Sequence, residues 1–245
     1  MKYLFRIYQW IIWLPLLVVI TILACIFSLL GTLLFGHRWG GYWVPMVWSR
    51  MVCWISFVRV KVVGKKLLNK KQSYVFVANH QGAFDIWAIY GFLGHKFKWL
   101  MKKSLEKVPF VGFTCKMVGH VFVDDSSIAG IKQTIEDSQK MLKGGMSLTI
   151  FPEGSRTHDG HMIPFKRGAF MLAAEFKLPV VPITIDGAFS VMPRHSYYIH
   201  PGTIKVTIHE PIFPDPEKRF NTKKLMAQVR TEINSSLPAE FKDPE

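Results

Sequence analysis

From Ile7 to Phe35 the chain carries no Asp, Glu, Lys, Arg or His, and the middle of this run reads LPLLVVITILACIFSLLGTLLF. A straight helix of about 20 residues crosses the hydrocarbon core of a bilayer, so the run is long enough to span one. A secretory leader has a shorter apolar region and a small-residue cleavage site, and no clean site follows Gly31, so the segment is expected to be retained. A second apolar region, Tyr42 to Val58, is rich in Trp and interrupted by Arg50. Two arrangements fit. The second region lies in the membrane interface or forms the other arm of a hairpin dipping into one leaflet, with Pro15 and Gly40–Gly41 as bending points. Alternatively, one spanning helix is followed by a core helix of the next domain. Trp39, Trp43, Trp48 and Trp54 suit the interfacial zone, where an amphipathic ring meets headgroups and chains together.

The formal charge is +14, from 31 Lys plus Arg against 17 Asp plus Glu. That excess favours an anionic partner, nucleic acid or lipid. The apolar N-terminal region and the lack of a recognition motif exclude nucleic acid and leave an anionic membrane surface. Arg59, Lys61, Lys65, Lys66, Lys70 and Lys71 follow the second region closely. By the bias of positive residues toward the cytoplasm, the main domain faces that side, with a bacterial inner membrane as the expected location. These cations either touch headgroups or belong to a solvated turn around Asn69. Cys25, Cys53 and Cys115 have neither metal-ligand spacing nor an even count for disulfides, so they read as small buried hydrophobes.

Residues 1–58 therefore read as membrane anchor and interfacial helices, and 59–245 as one folded domain. Within it, strands are expected at 73–79, 97–101, 118–123, 146–151, 178–185 and 203–208. Helices are expected from Asp85, across Ser127 to Gly144, across Gly168 to Phe176, and from Asn221 to Leu237. Alternating strands and helices predict an α/β domain, a mixed β-sheet flanked by helices. Polar clusters follow two strand ends, at 79–85 and 152–157, where open α/β sheets place their sites.

The first cluster is Asn79–His80–Gln81–Gly82–Ala83–Phe84–Asp85. An imidazole takes a proton from a hydroxyl near neutral pH, and a carboxylate on its other nitrogen fixes the tautomer and stabilises the imidazolium. The spacing of five closes if His80 lies in a turn and Asp85 in the first turns of a helix. The second cluster is Phe151–Pro152–Glu153–Gly154–Ser155–Arg156–Thr157. Gly154 permits a tight turn, Arg156 offers a fork suited to phosphate, and Glu153 is expected to orient Arg156 or accept from a substrate hydroxyl. Lys166 and Arg167 precede a helix and could meet a phosphate there. Lys102–Lys103 leads into Val108–Pro109–Phe110–Val111–Gly112, whose apolar part is expected to line an acyl channel, with a lysine supporting a phosphate or a developing oxyanion. No Gly-x-Ser-x-Gly elbow, dinucleotide fingerprint or phosphate loop is present, and His158 and His161 sit in a loop-like stretch unsuited to metal.

At these residues, from about Lys61 to Ile208, the sequence resembles the 1-acylglycerol-3-phosphate acyltransferases within the glycerolipid acyltransferases. The family's His–x4–Asp motif corresponds to His80 and Asp85. Its Phe–Pro–Glu–Gly motif corresponds to Phe151 through Gly154, its lysine-and-proline motif to Lys102, Pro109 and Gly112, and its Val–Pro–Ile motif to Val181–Pro182–Ile183. The N-terminal part also resembles the membrane-embedded two-helix region of bacterial members. The resemblance implies direct acyl transfer from acyl-CoA or acyl-acyl carrier protein to the sn-2 hydroxyl of lysophosphatidic acid or a related lysophospholipid. His80 would be the base, oriented by Asp85, and no cofactor or metal would be needed. Asn79, Lys102, Glu153, Gly154, Ser155, Arg156, Lys166 and Arg167 would form the substrate-binding set. Two departures stand out: Gly82 where many members have Ser, and Asp125 where many have Arg, which favours acceptors with larger headgroups. A lipid-binding protein without activity and a membrane hydrolase are the readings from other classes.

Overall fold

The computed structural model describes residues 2–124, 127–142, 145–214 and 221–243. Among the described residues seven strands form one sheet: β1 (Val58–Val63), β2 (Val75–Ala78), β3 (Phe97–Lys102), β4 (Val121–Val123), β5 (Ser147–Ile150), β6 (Val180–Asp186) and β7 (Gly202–Ile208). Their order is β1-β7-β6-β2-β5-β3-β4. Neighbours are parallel except β6 and β7, so the sheet is mixed. The β2, β3, β4 and β5 ends that carry residues 79, 102, 124 and 151 therefore point the same way.

The helices are α1 (Lys2–Tyr8), α2 (Leu14–Phe35), α3 (His37–Gly40), α4 (Trp43–Ile55), α5 (Phe84–Phe92), α6 (Val111–Met117), α7 (Ile128–Met141), α8 (Gly168–Glu175), α9 (Ala188–Val191) and α10 (Thr222–Ser235). Ser127 caps α7 by accepting from Gly130 N–H, and Asn221 caps α10 by accepting from Lys224 N–H, both at 3.0 Å. The strand period of two sorts the core. Tyr74, Phe76 and Ala78 join the face covered by α4 and α5, while Val75 and Val77 join the face covered by α8 and α10.

The basic stretch after Val58 is not a turn at its start. It opens with edge strand β1, in which Val60 and Val62 pack on the core while Arg59 and Lys61 alternate with them. Charges at these positions blunt the exposed edge against further pairing. Of the strand expected at 118–123, only Val121–Val123 is extended, because Val118 ends α6.

The N-terminal run forms one apolar helix, Tyr3–Phe35, with a π-turn at Gln9–Trp13. The second region is its antiparallel partner. Trp13 Nε1 donates to Ser56 Oγ at 2.8 Å and Trp48 Nε1 donates to Thr21 Oγ1 at 3.1 Å. The turn of this hairpin is so close that a Cβ on Gly40 would collide with Ser28 and Thr32. The other face of α4 packs on α5, where Arg50 Nε donates to Gly91 O at 2.7 Å. Arg50 thus satisfies a helix-end carbonyl rather than interrupting a membrane span.

Both ends of the long helix are tied to the α/β domain. At one end the buried Gln9 side chain donates to Tyr197 O and accepts from Ile199 N–H. At the other, His37 Nδ1 bonds Met117 O at 2.8 Å, and the buried Lys98 Nζ donates to the carbonyls of His37 and Val118. The face of the hairpin away from the domain exposes Val19, Ile22, Ile26, Leu33, Trp43 and Trp54. Phe110 and Phe113 of the α6 region are exposed too, and α6 contacts α2. The apolar run from Val108 to Val111 therefore lies at the protein surface beside the hairpin.

Candidate active site

The turn from β2 into α5 carries the first cluster. Its base is Asn79, fully buried, whose side-chain amide donates to Ile185 O at 2.8 Å and accepts from Ile185 N–H at 2.7 Å. With no accessible surface, Asn79 joins β2 to β6. His80 follows, its ring 13% exposed. Asp85 is the second residue of α5 and has no exposed surface. Asp85 Oδ2 accepts from His80 Nδ1 at 2.7 Å and from Gly82 N–H at 2.8 Å. The carboxylate sits at a helix N-terminus, where a negative charge is favoured. With Nδ1 committed to the carboxylate, Nε2 is the ring nitrogen open to chemistry, and no described residue bonds it.

Gly82 has a local cause. A Cβ there would run into the carbonyl oxygens of Ala188 and Met192. Ala83 N–H also donates to Met192 O, at 3.4 Å. The turn lies directly against α9, leaving no room for the serine found in related sequences.

The loop after β5 holds the first cluster in place. Glu153 Oε1 accepts from His80 N–H at 2.7 Å and Oε2 accepts from Ile163 N–H at 3.0 Å. Burial pushes the Glu153 carboxyl up to about 8, against the two backbone amides, which lower it. Glu153 thus braces two loops instead of orienting Arg156. Gly154 takes φ 71°, a left-handed conformation. Thr157 N–H donates to His80 O at 2.9 Å, so both sides of the loop grip the histidine backbone.

A cavity of about 810 Å3 opens beside these loops. Leu100, Ile131, Ile135, Ile150 and Leu172 give it an apolar floor, and Lys102, Lys103, Lys166 and Arg167 stand on its rim with Asp124 and Gly154. Lys103 is paired with Glu106 at 2.8 Å. Such a space suits a ligand with an anionic head and an apolar body. Ser155 and Arg156 are partly exposed on the loop but do not line this cavity. Arg156 donates no side-chain bond to another described residue; its carbonyl accepts from Arg194 Nη1 at 2.8 Å. Asp125 lies outside the described residues.

Sequence reasoning missed two rings. Phe151 stacks on His80 with centroids 4.0 Å apart and planes 9° apart, and it also lines the cavity. Trp99 of β3 stacks with Phe151 at 5.3 Å. The pairing of Trp99 with Thr149 brings them together, a register that no local pattern announces. Ile131 and Ile135, inside the helix expected across Ser127 to Gly144, line the cavity as well.

The arrangement can remove a proton beside an anion-attracting, apolar-floored space. Comparison with known proteins places the chain in a family. Residues 59–186 match the family model described as Acyltransferase. A 1-acyl-sn-glycerol-3-phosphate acyltransferase from Chlamydomonas reinhardtii is 32% identical over 187 residues, covering 76% of this chain and 55% of that protein. One from Saccharomyces cerevisiae is 32% identical over 182 residues, covering 73% of this chain and 59% of its own. The chain thus spans little more than half the length of these relatives. The crystal structure of the 1-acyl-sn-glycerophosphate (LPA) acyltransferase PlsC from Thermotoga maritima superposes with a TM-score of 0.65 at 26% identity, over 78% of this chain and 77% of that one. On this match, which takes in six of the seven strands and both polar loops, the chain belongs to the Acyltransferase family.

Proposed function

We propose that this chain transfers an acyl group from an acyl thioester, acyl-CoA or acyl-acyl carrier protein, to the sn-2 hydroxyl of 1-acyl-sn-glycerol 3-phosphate, giving phosphatidic acid. The observation that carries this reading is the His80–Asp85 pair, bonded at 2.7 Å and joined through the stacked ring of Phe151 to a cavity with apolar walls and a cationic margin. His80 Nε2 takes the proton of the acceptor hydroxyl as its oxygen attacks the thioester carbonyl. Asp85 holds the imidazole and balances its charge. The tetrahedral intermediate collapses, the C–S bond breaks, and the imidazolium proton goes to the departing thiolate. Lys102, Lys166 and Arg167 attract the acceptor phosphate from the rim, and Arg156 is available to the same anion from the adjoining loop. Holding both substrates in one geometry supplies much of the acceleration.

The long helix supports work at a membrane surface. At about 1.5 Å per residue it exceeds the roughly 30 Å hydrocarbon core. Yet both its ends bond the same domain. Its apolar outer face fits a hairpin lying in the interface better than one crossing the bilayer.

The test is transfer from labelled palmitoyl-CoA and palmitoyl-acyl carrier protein to lysophosphatidic acid and to lysophospholipids with larger headgroups. Phosphatidic acid formed by the native chain and not by His80→Ala supports the reading. Transfer only to another headgroup moves the substrate assignment, and activity retained by His80→Ala removes the mechanism.

A further inference from the structure

The His80 and Phe151 rings stack with centroids 4.0 Å apart and planes 9° apart, so a charge gained by the imidazole lies over an aromatic face. Neutral aromatic pairs prefer an offset or an edge-to-face contact, because their faces both carry negative potential. A cation over an aromatic face is attracted by that same potential. Protonation of His80 in this stack therefore adds a cation–π attraction to the contact that the neutral ring already makes. We propose that Phe151 is a positioning residue whose ring face fixes the plane of His80 and attracts the imidazolium formed during the reaction.

This rests on the reading of His80 as the base. In the proton-transfer step the acceptor O–H bond breaks, an N–H bond forms at Nε2, and His80 gains a positive charge while the new C–O bond forms. The ring of Phe151 then faces a cation it did not face in the resting site, so it stabilises the transition state more than the ground state. When the proton passes to the thiolate, the charge and the extra attraction disappear together. Nothing covalent involves Phe151.

The ring is held from beneath. Trp99 stacks with Phe151 at 5.3 Å with planes 26° apart, and its backbone N–H donates to His120 Nδ1 at 3.2 Å. That bond leaves His120 to donate from Nε2 to Tyr90 Oη, 3.1 Å away, and Tyr90 Oη donates to Gly41 O at 2.8 Å. The buried chain Gly41–Tyr90–His120–Trp99 thus ends under the ring that meets His80. Pro152 follows Phe151, and Pro152 O accepts from Lys166 N–H at 2.8 Å, which fixes the backbone on the other side.

The experiment replaces Phe151 in the full chain by phenylalanines bearing one to five ring fluorines, which keep the ring's shape and drain its face potential. The expected result is a stepwise fall in kcat, on the order of tenfold across the series, with both KM values nearly constant. The acidic limb of the kcat/KM profile should move to lower pH, since a less stabilised imidazolium forms less readily. Phe151→Tyr should keep most activity, and Phe151→Leu should behave like the most fluorinated ring. A flat series in folded protein, with His80→Ala inactive, overturns the role of the ring alone. Activity retained in His80→Ala overturns the base reading instead.

Discussion

The backbone N–H of His80 donates to Oε1 of Glu153 at 2.7 Å, so the loop after one central strand holds the His80 turn after its neighbour. The two polar clusters are a single mechanical unit. β2 and β5 are adjacent and parallel, and each supplies one loop.

That brace has a pH signature. The Glu153 carboxyl is raised to about 8 from its ordinary 4.5, chiefly by burial. A proton held more tightly in the folded chain stabilises it fully below the ordinary value, and this contribution is lost as pH rises through about 8. Between about pH 5 and pH 9 the native Tm should fall relative to Glu153→Gln, whose side chain stays neutral. Parallel Tm–pH curves for the two proteins would contradict this.

Asp85→Asn keeps the shape of the pair but presents a donor to Nδ1. The imidazole is then driven to the wrong tautomer, and its cation loses its counter-charge. The expected loss in kcat is about 10^3- to 10^4-fold with KM little changed, read by steady-state kinetics on folded protein. A loss under tenfold would show that the pair does not set the base.

Gly82→Ser restores the residue common in related sequences and should nevertheless do harm. Its Cβ meets the Ala188 and Met192 carbonyls. Displacing α9 should cost about 1–3 kcal/mol in denaturant unfolding. Unchanged stability would mean that α9 yields freely.

Lys102 stands on the cavity rim. Removing a charge-assisted contact worth about 1.5–3 kcal/mol should raise KM for lysophosphatidic acid at least about tenfold in Lys102→Met. KM for the thioester, and activity on monoacylglycerol, should hold. A rise in the thioester KM alone would assign Lys102 to the donor.

Leu33 and Leu34 are 81% and 69% exposed on the hairpin. Leu33→Asp with Leu34→Asp should weaken binding to phosphatidylglycerol-containing vesicles by tenfold or more, in flotation assays, without altering the circular dichroism spectrum. Undiminished flotation would move the membrane contact to another face.

Much of the α/β domain was legible because central strands of a largely parallel sheet are buried on both sides and read as apolar runs, as in Val75–Ala78 and Val180–Ile185. β1 was hidden because Arg59 and Lys61 alternate with its valines and look like a basic patch. His80 and Asp85 were visible by residue type and spacing. The work of Asn79 and Glu153 was not, since their partners, Ile185 and the His80 backbone, are far away in sequence. The surface position of the Val108–Gly112 run was hidden for a related reason. Apolar residues signal avoidance of water, and that alone does not distinguish a cavity wall from a surface that meets lipid.

A helix bonded at both ends to one domain has no end left to send across a bilayer. With Gln9 and His37 both fixed to the same body, the proposed reaction would be confined to one face of a membrane. It would draw its acceptor from the monolayer on which the chain rests and return the new diacyl lipid to that monolayer. Growth of the opposite monolayer would then depend on a separate lipid-flipping step.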